Sequence, residues 1–410
     1  MRRWLPIVAI LLATLPAPSL GGPPPEEELA ELLRERAEAM RRGDLETYLA
    51  SVAPDVPDFR RRQRRLFDGF QRLGLAEYRL DLGSVAGDLA TDRERRRYRG
   101  EIRILHVEER SRLRGLDPQP AVEDLYLTFV RRGGRWLVAS DRDLEDVGLL
   151  SARRLWEIGP VEARREGRFV YVAHPEVAEA AAAVIGSAEP AMQRVVERWP
   201  RPWHRRVAII APRDTDQLGR LIQATFDLDA FVAFAASGVE RGADWDLVGH
   251  RILLNWPNFS SHAEGSRERI LTHELLHVAT REDAGPMIPI FVEEGLAEWV
   301  TDERSGDVLG AVPARFDGRL PLDHEFTTGT PGEIRGAYLA SASAIGYAVE
   351  RFGIERTVEL YRRLGAVRRE PGTWRYHTDR AMREAWGVGY RRFERDWVRW
   401  VNGARADRAA

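Results

Sequence analysis

The spacing of apolar residues changes period along this chain, and each period commits a stretch to one kind of structure. Leu29, Leu32, Leu33, Ala37 and Met40 recur at helical intervals, and Gly43-Asp44 breaks the run. Leu45 to Ala50 supplies another helical turn or two, and Phe59, Leu66, Phe67 and Phe70 mark a further helix. The period then falls to two. Tyr78, Leu80 and Leu82 alternate with polar neighbours, as do Ile102 and Ile104, then Leu125, Leu127 and Phe129. Gly133-Gly134 is a hairpin signal, with Trp136-Leu137-Val138 as the returning strand. Helices followed by antiparallel strands bury their apolar faces on one another. The first part is therefore expected to be α+β, with helices on one face of a curved sheet.

Residues 150–165 are charged and lose periodicity, which places a domain boundary there. A new pattern follows: strand Phe169 to Val172, helix 175–198, strand Val207 to Ile210 closed by Pro212, and strand Ile252 to Leu254 ahead of Pro257. From there to residue 402 the pattern is mostly helical. At 410 residues the chain is long enough for two domains, each with its own core, over residues 26–150 and 165–402.

Composition narrows the chemistry. With 31% charged and 44% apolar residues the chain is globular. The net charge is −2, so no global basic field argues for nucleic acid. The runs Arg60-Arg61-Arg62 with Arg64-Arg65, and Arg95-Arg96-Arg97, read as solvated faces, since no interleaved aromatics offer base stacking. All 62 Lys-plus-Arg residues are Arg, a bias that fits a GC-rich bacterial coding sequence. There is no Cys, which excludes disulfides, thiolate metal sites and Cys nucleophiles.

Arg2-Arg3, the mostly apolar run Trp4 to Leu15, and the small residues Ala17, Ser19, Gly21 and Gly22 read as a secretory signal peptide over residues 1–22. Gly22-Pro23-Pro24-Pro25 follows as a linker. The expected location is extracellular or in the cell envelope, with no stable membrane insertion after cleavage. The alternative is an anchor left uncleaved, although the run is short for a span of ~20 residues.

The segment that carries chemistry is His273-Glu274-Leu275-Leu276-His277. On a helix, positions i and i+4 share a face, so the two imidazoles can reach one metal ion. Glu274 sits roughly 100° around the helix, too offset to be a ligand from this turn but able to reach a water beside the metal. Ser266 is a plausible N-cap for this helix, and Gly285-Pro286 a stop. A second helix begins near Pro289 and carries Glu293, Glu294 and Glu298. Two His plus one carboxylate form a catalytic zinc set that leaves a position open. Gly295 and Ala297 are small enough to let this helix approach the metal helix. Glu298 lies one turn beyond Glu294 and can accept from the non-ligating nitrogen of a metal-bound His. The other histidines (His106, His174, His204, His250, His262, His377) lack ligand spacing and read as surface or core residues. No nucleophile-elbow motif is present.

The pair of segments, His273-Glu274-Leu275-Leu276-His277 and Glu294-Gly295-Leu296-Ala297-Glu298-Trp299, resembles the gluzincin metallopeptidases, and within them the peptidase MA-like domains, over residues 165–402. The resemblance implies a zincin-type domain with a small mixed sheet and a mostly helical C-terminal half. It selects Glu294, which precedes the glycine, over Glu293 as the third zinc ligand beside His273 and His277. It implies Glu274 as general base, and an edge strand pairing with an extended peptide, for which Ile252 to Leu254 is the candidate. A downstream Tyr of such enzymes hydrogen-bonds the oxyanion, and Tyr338 resembles it in position, ahead of Tyr347, Arg335 and His324. The order of elements and the Gly43-Asp44 break in residues 26–150 resemble the nuclear-transport-factor-2-like, cystatin-like fold, which implies a cone of helices on a sheet. No acid–base pair singles out a role for its concave face.

The function so implied is a secreted zinc metallopeptidase acting on a peptide or protein, with no nucleic-acid partner. Specificity would reside in segments 227–250 and 303–335. The alternatives are a scaffold protein of the cell envelope with a degenerate zinc site, and a zinc hydrolase of a non-peptide amide or ester.

Overall fold

The computed structural model describes residues 25–409 apart from 86, 225–227, 230, 241–245, 302–317 and 368–370. The expected leader 1–22 lies outside the described residues, as does all of the linker except Pro25. Pro25 opens a helix, a position that suits its missing N–H. Among the described residues no helix is long and apolar enough to cross a membrane.

Helices α1 (Pro25–Arg42), α2 (Leu45–Ala50) and α3 (Pro57–Leu73) precede strands β1 (Leu75–Leu82), β2 (Ile102–Leu113), β3 (Ala121–Arg132) and β4 (Arg135–Ser140). The strands form an antiparallel meander in the order β1-β2-β3-β4, and α4 (Asp92–Arg97) lies between the first two. Local chemistry sets the breaks. Asp44 caps α2 by accepting from the Thr47 N–H at 3.0 Å. Gly133 and Gly134 hold φ of 57° and 81°, which the tight turn between β3 and β4 requires. Leu33, Met40, Phe67 and Phe70 bury against Tyr78, Leu80, Leu127 and Phe129. The chain thus has the α+β arrangement expected of its first part.

A short helix, α5 (Leu155–Ile158), leads into a second sheet of β5 (Glu162–Glu166), β6 (Phe169–Ala173), β7 (Val207–Ala211), β8 (Ala233–Glu240) and β9 (Asp246–Leu254). Its order is β5-β6-β7-β9-β8, with β6, β7 and β9 parallel and the two outer strands antiparallel. Helices α6 (Pro175–Ala182), α7 (Ile185–Arg198) and α8 (Thr215–Ile222) fall between strands. After β9 come α9 (Trp256–Ser261), α10 (Glu264–Thr280), α11 (Ile290–Thr301), α12 (Pro331–Phe352), α13 (Ile354–Gly365), α14 (Trp374–Trp386) and α15 (Tyr390–Ala409). The sheet is small and mixed, and the C-terminal half is mostly helical.

Four expectations need correction. The strand expected at the edge, Ile252 to Leu254, belongs to β9, which lies between β7 and β8, so the edge is β8. An apolar run reports burial on both faces and says nothing about which strand lies alongside. β5 was not expected, because a charged edge strand, Glu-Ala-Arg-Arg-Glu, buries little and shows no apolar alternation. Helix 175–198 is two helices: at Ala183 and Val184 the bonds tighten to i→i−3, and Pro190, without a donor, lies farther along α7. Segment 227–250 is largely the β8–β9 hairpin, and residues 331–335 of segment 303–335 open α12; residues 302–317 lie outside the described residues.

The second half has a core of its own, and its sheet also contributes to the core of the first half. Every residue of β6 and β7 is buried. On one face Phe169, Tyr171, Val207, Ile209 and Ile252 join the core of α7, α10 and the helices beyond. On the other Val170, Val172, Ala208, Ile210 and Leu253 join the core that holds Phe70, Leu155 and Trp156. Parallel strands need cover on both faces, and the N-terminal unit supplies the second cover. Polar contacts cross the same junction: Arg251 grips Asp117 at 2.6 and 2.9 Å, and the His204 ring contacts the Leu116 carbonyl at 2.6 Å. Arg95, Arg96 and Arg97 are exposed as expected, as are Arg61 and Arg64, but Arg60, Arg62 and Arg65 are half-buried. Arg62 pairs with buried Asp141 at 3.0 Å, Arg60 donates to the Leu49 carbonyl at 2.6 Å, and Arg97 pairs with Asp143 at 2.8 Å.

Candidate metal centre

Helix α10 starts at Glu264 after Ala263, earlier than the Ser266 cap expected for it, and no side chain caps its first turn. Leu271, Leu275, Leu276 and Val278 anchor it in the core, which turns the His273 and His277 face outward. Helix α11 is pinned at its start by Asp323, whose carboxylate accepts from the Ile290 N–H at 2.9 Å. Gly295 does admit a neighbouring helix, but that neighbour is α12. A Cβ there would lie 2.6 Å from Ile345 Cγ1 and 2.7 Å from the Ser341 carbonyl oxygen.

These two helices bring His273, His277 and Glu294 together, the one group among the described residues suited to hold a metal ion. His273 Nε2 lies 3.0 Å from Glu294 Oε2 and 3.1 Å from His277 Nε2, and His277 Nε2 lies 3.5 Å from Glu294 Oε2. A tetrahedral zinc with bonds of ~2.0–2.1 Å has ligand-to-ligand edges of about 3.3 Å, so the donor triangle has the size that ion needs. On the far side of the ring, His273 Nδ1 meets Glu298 Oε1 at 3.1 Å. In a neutral His273 that contact would keep the ring proton on Nδ1 and offer the Nε2 lone pair to a metal at the shared point. The three side chains keep 13%, 15% and 17% exposure, so the point where they converge is reachable from solvent.

Charge around the group is arranged to match. Burial opposes ionisation of Glu294, but the imidazoles of His277 and His273 override it and hold the carboxyl far below its usual range. Burial likewise opposes a charge on His273, and Glu294 and Glu298 outweigh it, so the imidazole is held well above its usual value. Glu293 points elsewhere: its Oε1 accepts from the Tyr361 hydroxyl at 3.3 Å, and burial pushes its carboxyl up.

Glu274 is buried beside the group, and burial raises its carboxyl while His273 and His277 oppose the rise. The Ala235 backbone on β8 also opposes it. Tyr338, on α12, stands at the wall of the site, with its ring centroid 6.3 Å from that of His273 and 5.2 Å from that of Phe326. Burial, then the carboxylates Glu294, Glu274 and Glu298, push its hydroxyl up. The other oxyanion candidates are not at the site. Tyr347 packs on Phe393 and Trp400 at 5.7 and 5.4 Å, on another face of α12. Arg335 and His324 are exposed and, among the described residues, make no hydrogen bond or ion pair with the donors.

Sequence reasoning missed Asp323, Tyr361 and Arg281. Arg281 follows α10 and donates to the Ala235 carbonyl at 2.6 Å, tying the edge strand to the metal helix. Each of these contacts joins segments far apart in the chain, and no local spacing signals them. No family model matches the chain, and no curated protein matches it in sequence.

Proposed function

We propose that this protein is a zinc-dependent hydrolase of peptide bonds, working as the gluzincins that its two motifs resemble. The observation that carries this reading is the convergence of His273 Nε2, His277 Nε2 and Glu294 Oε2, at 3.0 to 3.5 Å from one another, with Glu298 behind His273. His273, His277 and Glu294 would hold the ion, and Glu298 would orient its first ligand. When bound, zinc supplies a Lewis acid that polarises a carbonyl and acidifies water.

The chain's own residues do the rest. The Glu274 carboxylate, buried beside the donors, takes a proton from the attacking water and returns it to the leaving amine. The Tyr338 hydroxyl donates to the carbonyl oxygen as negative charge builds there. β8 is the edge strand beside α10; Arg281 takes its Ala235 carbonyl, and an extended peptide would pair along the rest of its outer edge.

The test combines metal analysis with a peptide-library digest on the wild type and Glu274→Gln. The wild type should carry about one zinc per chain and cleave peptides. Glu274→Gln should keep the metal and the fold but lose nearly all cleavage. A metal-free wild type, or a variant that cleaves normally, would sink the proposal.

A further inference from the structure

At the corner where α14 turns into α15, an open cavity of about 530 Å³ lies among residues 373–395. Its lining holds Arg375, Arg383, Arg391, Arg392 and Arg395 against a single carboxylate, Asp379. Asp379 is already engaged. It accepts from Arg383 Nε at 2.7 Å and from the Tyr390 N–H at 2.8 Å. Arg392 reaches Asp396 only at 3.7 Å. Among the described residues, Arg375, Arg391 and Arg395 have no carboxylate partner. Other arginines of this molecule, Arg62, Arg97 and Arg251 among them, are matched to acids. Here the cations converge and the acids are missing.

Three further features shape the same space. The first turn of α15, a helix of 20 residues, lines the cavity and adds the positive end of its dipole. Tyr390, 1% exposed, packs beneath the cavity, with the Arg375 guanidinium 5.0 Å from its ring centroid, so Arg375 is held at the wall. The rim is also built closely: a Cβ on Gly389 would lie 2.5 Å from Asp379 Oδ1 and 2.6 Å from Arg383 Nη2, so the backbone is pressed against that ion pair.

We propose that this cavity binds a ligand through a phosphomonoester or diphosphate group. A carboxylate brings one charge and two oxygens, too few for the guanidinium groups gathered here. A phosphate dianion or diphosphate brings tetrahedral oxygens that accept from several planar guanidinium forks at once. The group is recognised alike on a soluble compound or at the head of a lipid.

Calorimetric titration of the full chain with sodium pyrophosphate at low ionic strength tests the site without reading zinc or hydrolysis. Saturable binding to one site per chain is expected. The double variant Arg391→Gln/Arg395→Gln should weaken it at least tenfold. Arg34→Gln, an exposed arginine on α1, should leave it unchanged. Both altered arginines are exposed, so the variant should melt with the wild type. Co-sedimentation with phosphatidylcholine vesicles, with and without phosphatidic acid, separates the two sources. Retention by phosphatidic acid that the double variant loses would identify a lipid headgroup, whereas pyrophosphate binding without retention would identify a soluble phosphate compound. Failure to bind either probe, or equal affinity in the double variant, would overturn the proposal.

Discussion

Glu293 and Glu294 are identical in chemistry and adjacent in sequence, and a helix sends them in different directions. Glu294 faces two imidazoles, whereas Glu293 faces the Tyr361 hydroxyl. Glu294→Ala should therefore strip zinc from the purified protein, and Glu293→Ala should retain it; equal zinc content in the two variants would refute the assignment. Tyr338 offers a second comparison at this scale. Its hydroxyl has no hydrogen-bond partner among the described residues, so Tyr338→Phe should change neither melting nor zinc content. Loss of an oxyanion donor costs ~10²–10³ in kcat, and KM should move less. An unchanged kcat would make Tyr338 a packing residue of α12. The resemblance anticipated Glu294 and Tyr338 because motif positions carry them. Tyr361 was not legible, since its partner comes from another part of the chain.

The elements are held at their spacing by small residues at crossings. α11 and α12 are close enough at Gly295 that a methyl group has no room against Ser341 and Ile345. Gly295→Ala should force the helices apart and cost about 1–3 kcal/mol, read as a lower melting temperature by circular dichroism. Because α11 carries Glu294, zinc affinity should fall with it. Full retention of both would mean that the crossing yields without strain. The smallness of Gly295 was legible in the sequence as a close approach, but the partner helix was not. A glycine announces that something comes near, and only packing decides what. The same limit explains the edge strand. The apolar run Ile252 to Leu254 of β9 suggests an edge, whereas β8, rich in small residues, holds that place and is tied to α10 through Arg281.

At the scale of the whole molecule, the segment joining the two halves is itself a buried structural part. Arg154 is buried and bonded to Glu109 and Glu123, and it lies 3.4 Å from Glu157 on α5. Burial, with Asp141 and Glu109 adding to it, raises the Glu157 carboxyl to about 7, against the opposing pull of Arg154 and Arg153. The folded protein thus holds this proton more tightly than the unfolded chain. The stability it contributes is full below the unfolded value, near 4.5, and is lost as pH rises through about 7. One such group changes stability by at most about 1.4 kcal/mol per pH unit. Glu157→Gln is neutral throughout, and Arg154 keeps Glu109 and Glu123 as partners. Denaturant melts at pH 5, 6, 7 and 8 should show the wild type losing stability relative to the variant as pH rises. A difference that stays constant with pH would show that Glu157 does not titrate in this range.

The sequence by itself determined what depends on neighbours along the chain. Helical and alternating periods placed α1 to α3 and β1 to β4, Gly133-Gly134 placed the hairpin, and the spacing of His273 and His277 put two imidazoles on one face. These are short-range matters of backbone geometry and apolar spacing. Tertiary structure alone decided which strand lies at the edge of the second sheet, which helix Gly295 admits, and that the two halves share a core through β6 and β7. It alone chose His273 as the ring that Glu298 meets, and it gathered the arginines of α14 and α15 around one cavity. In each case the partner lies in another element. A run of residues records how much of itself must be buried, but the surface that buries it belongs to a distant part of the chain.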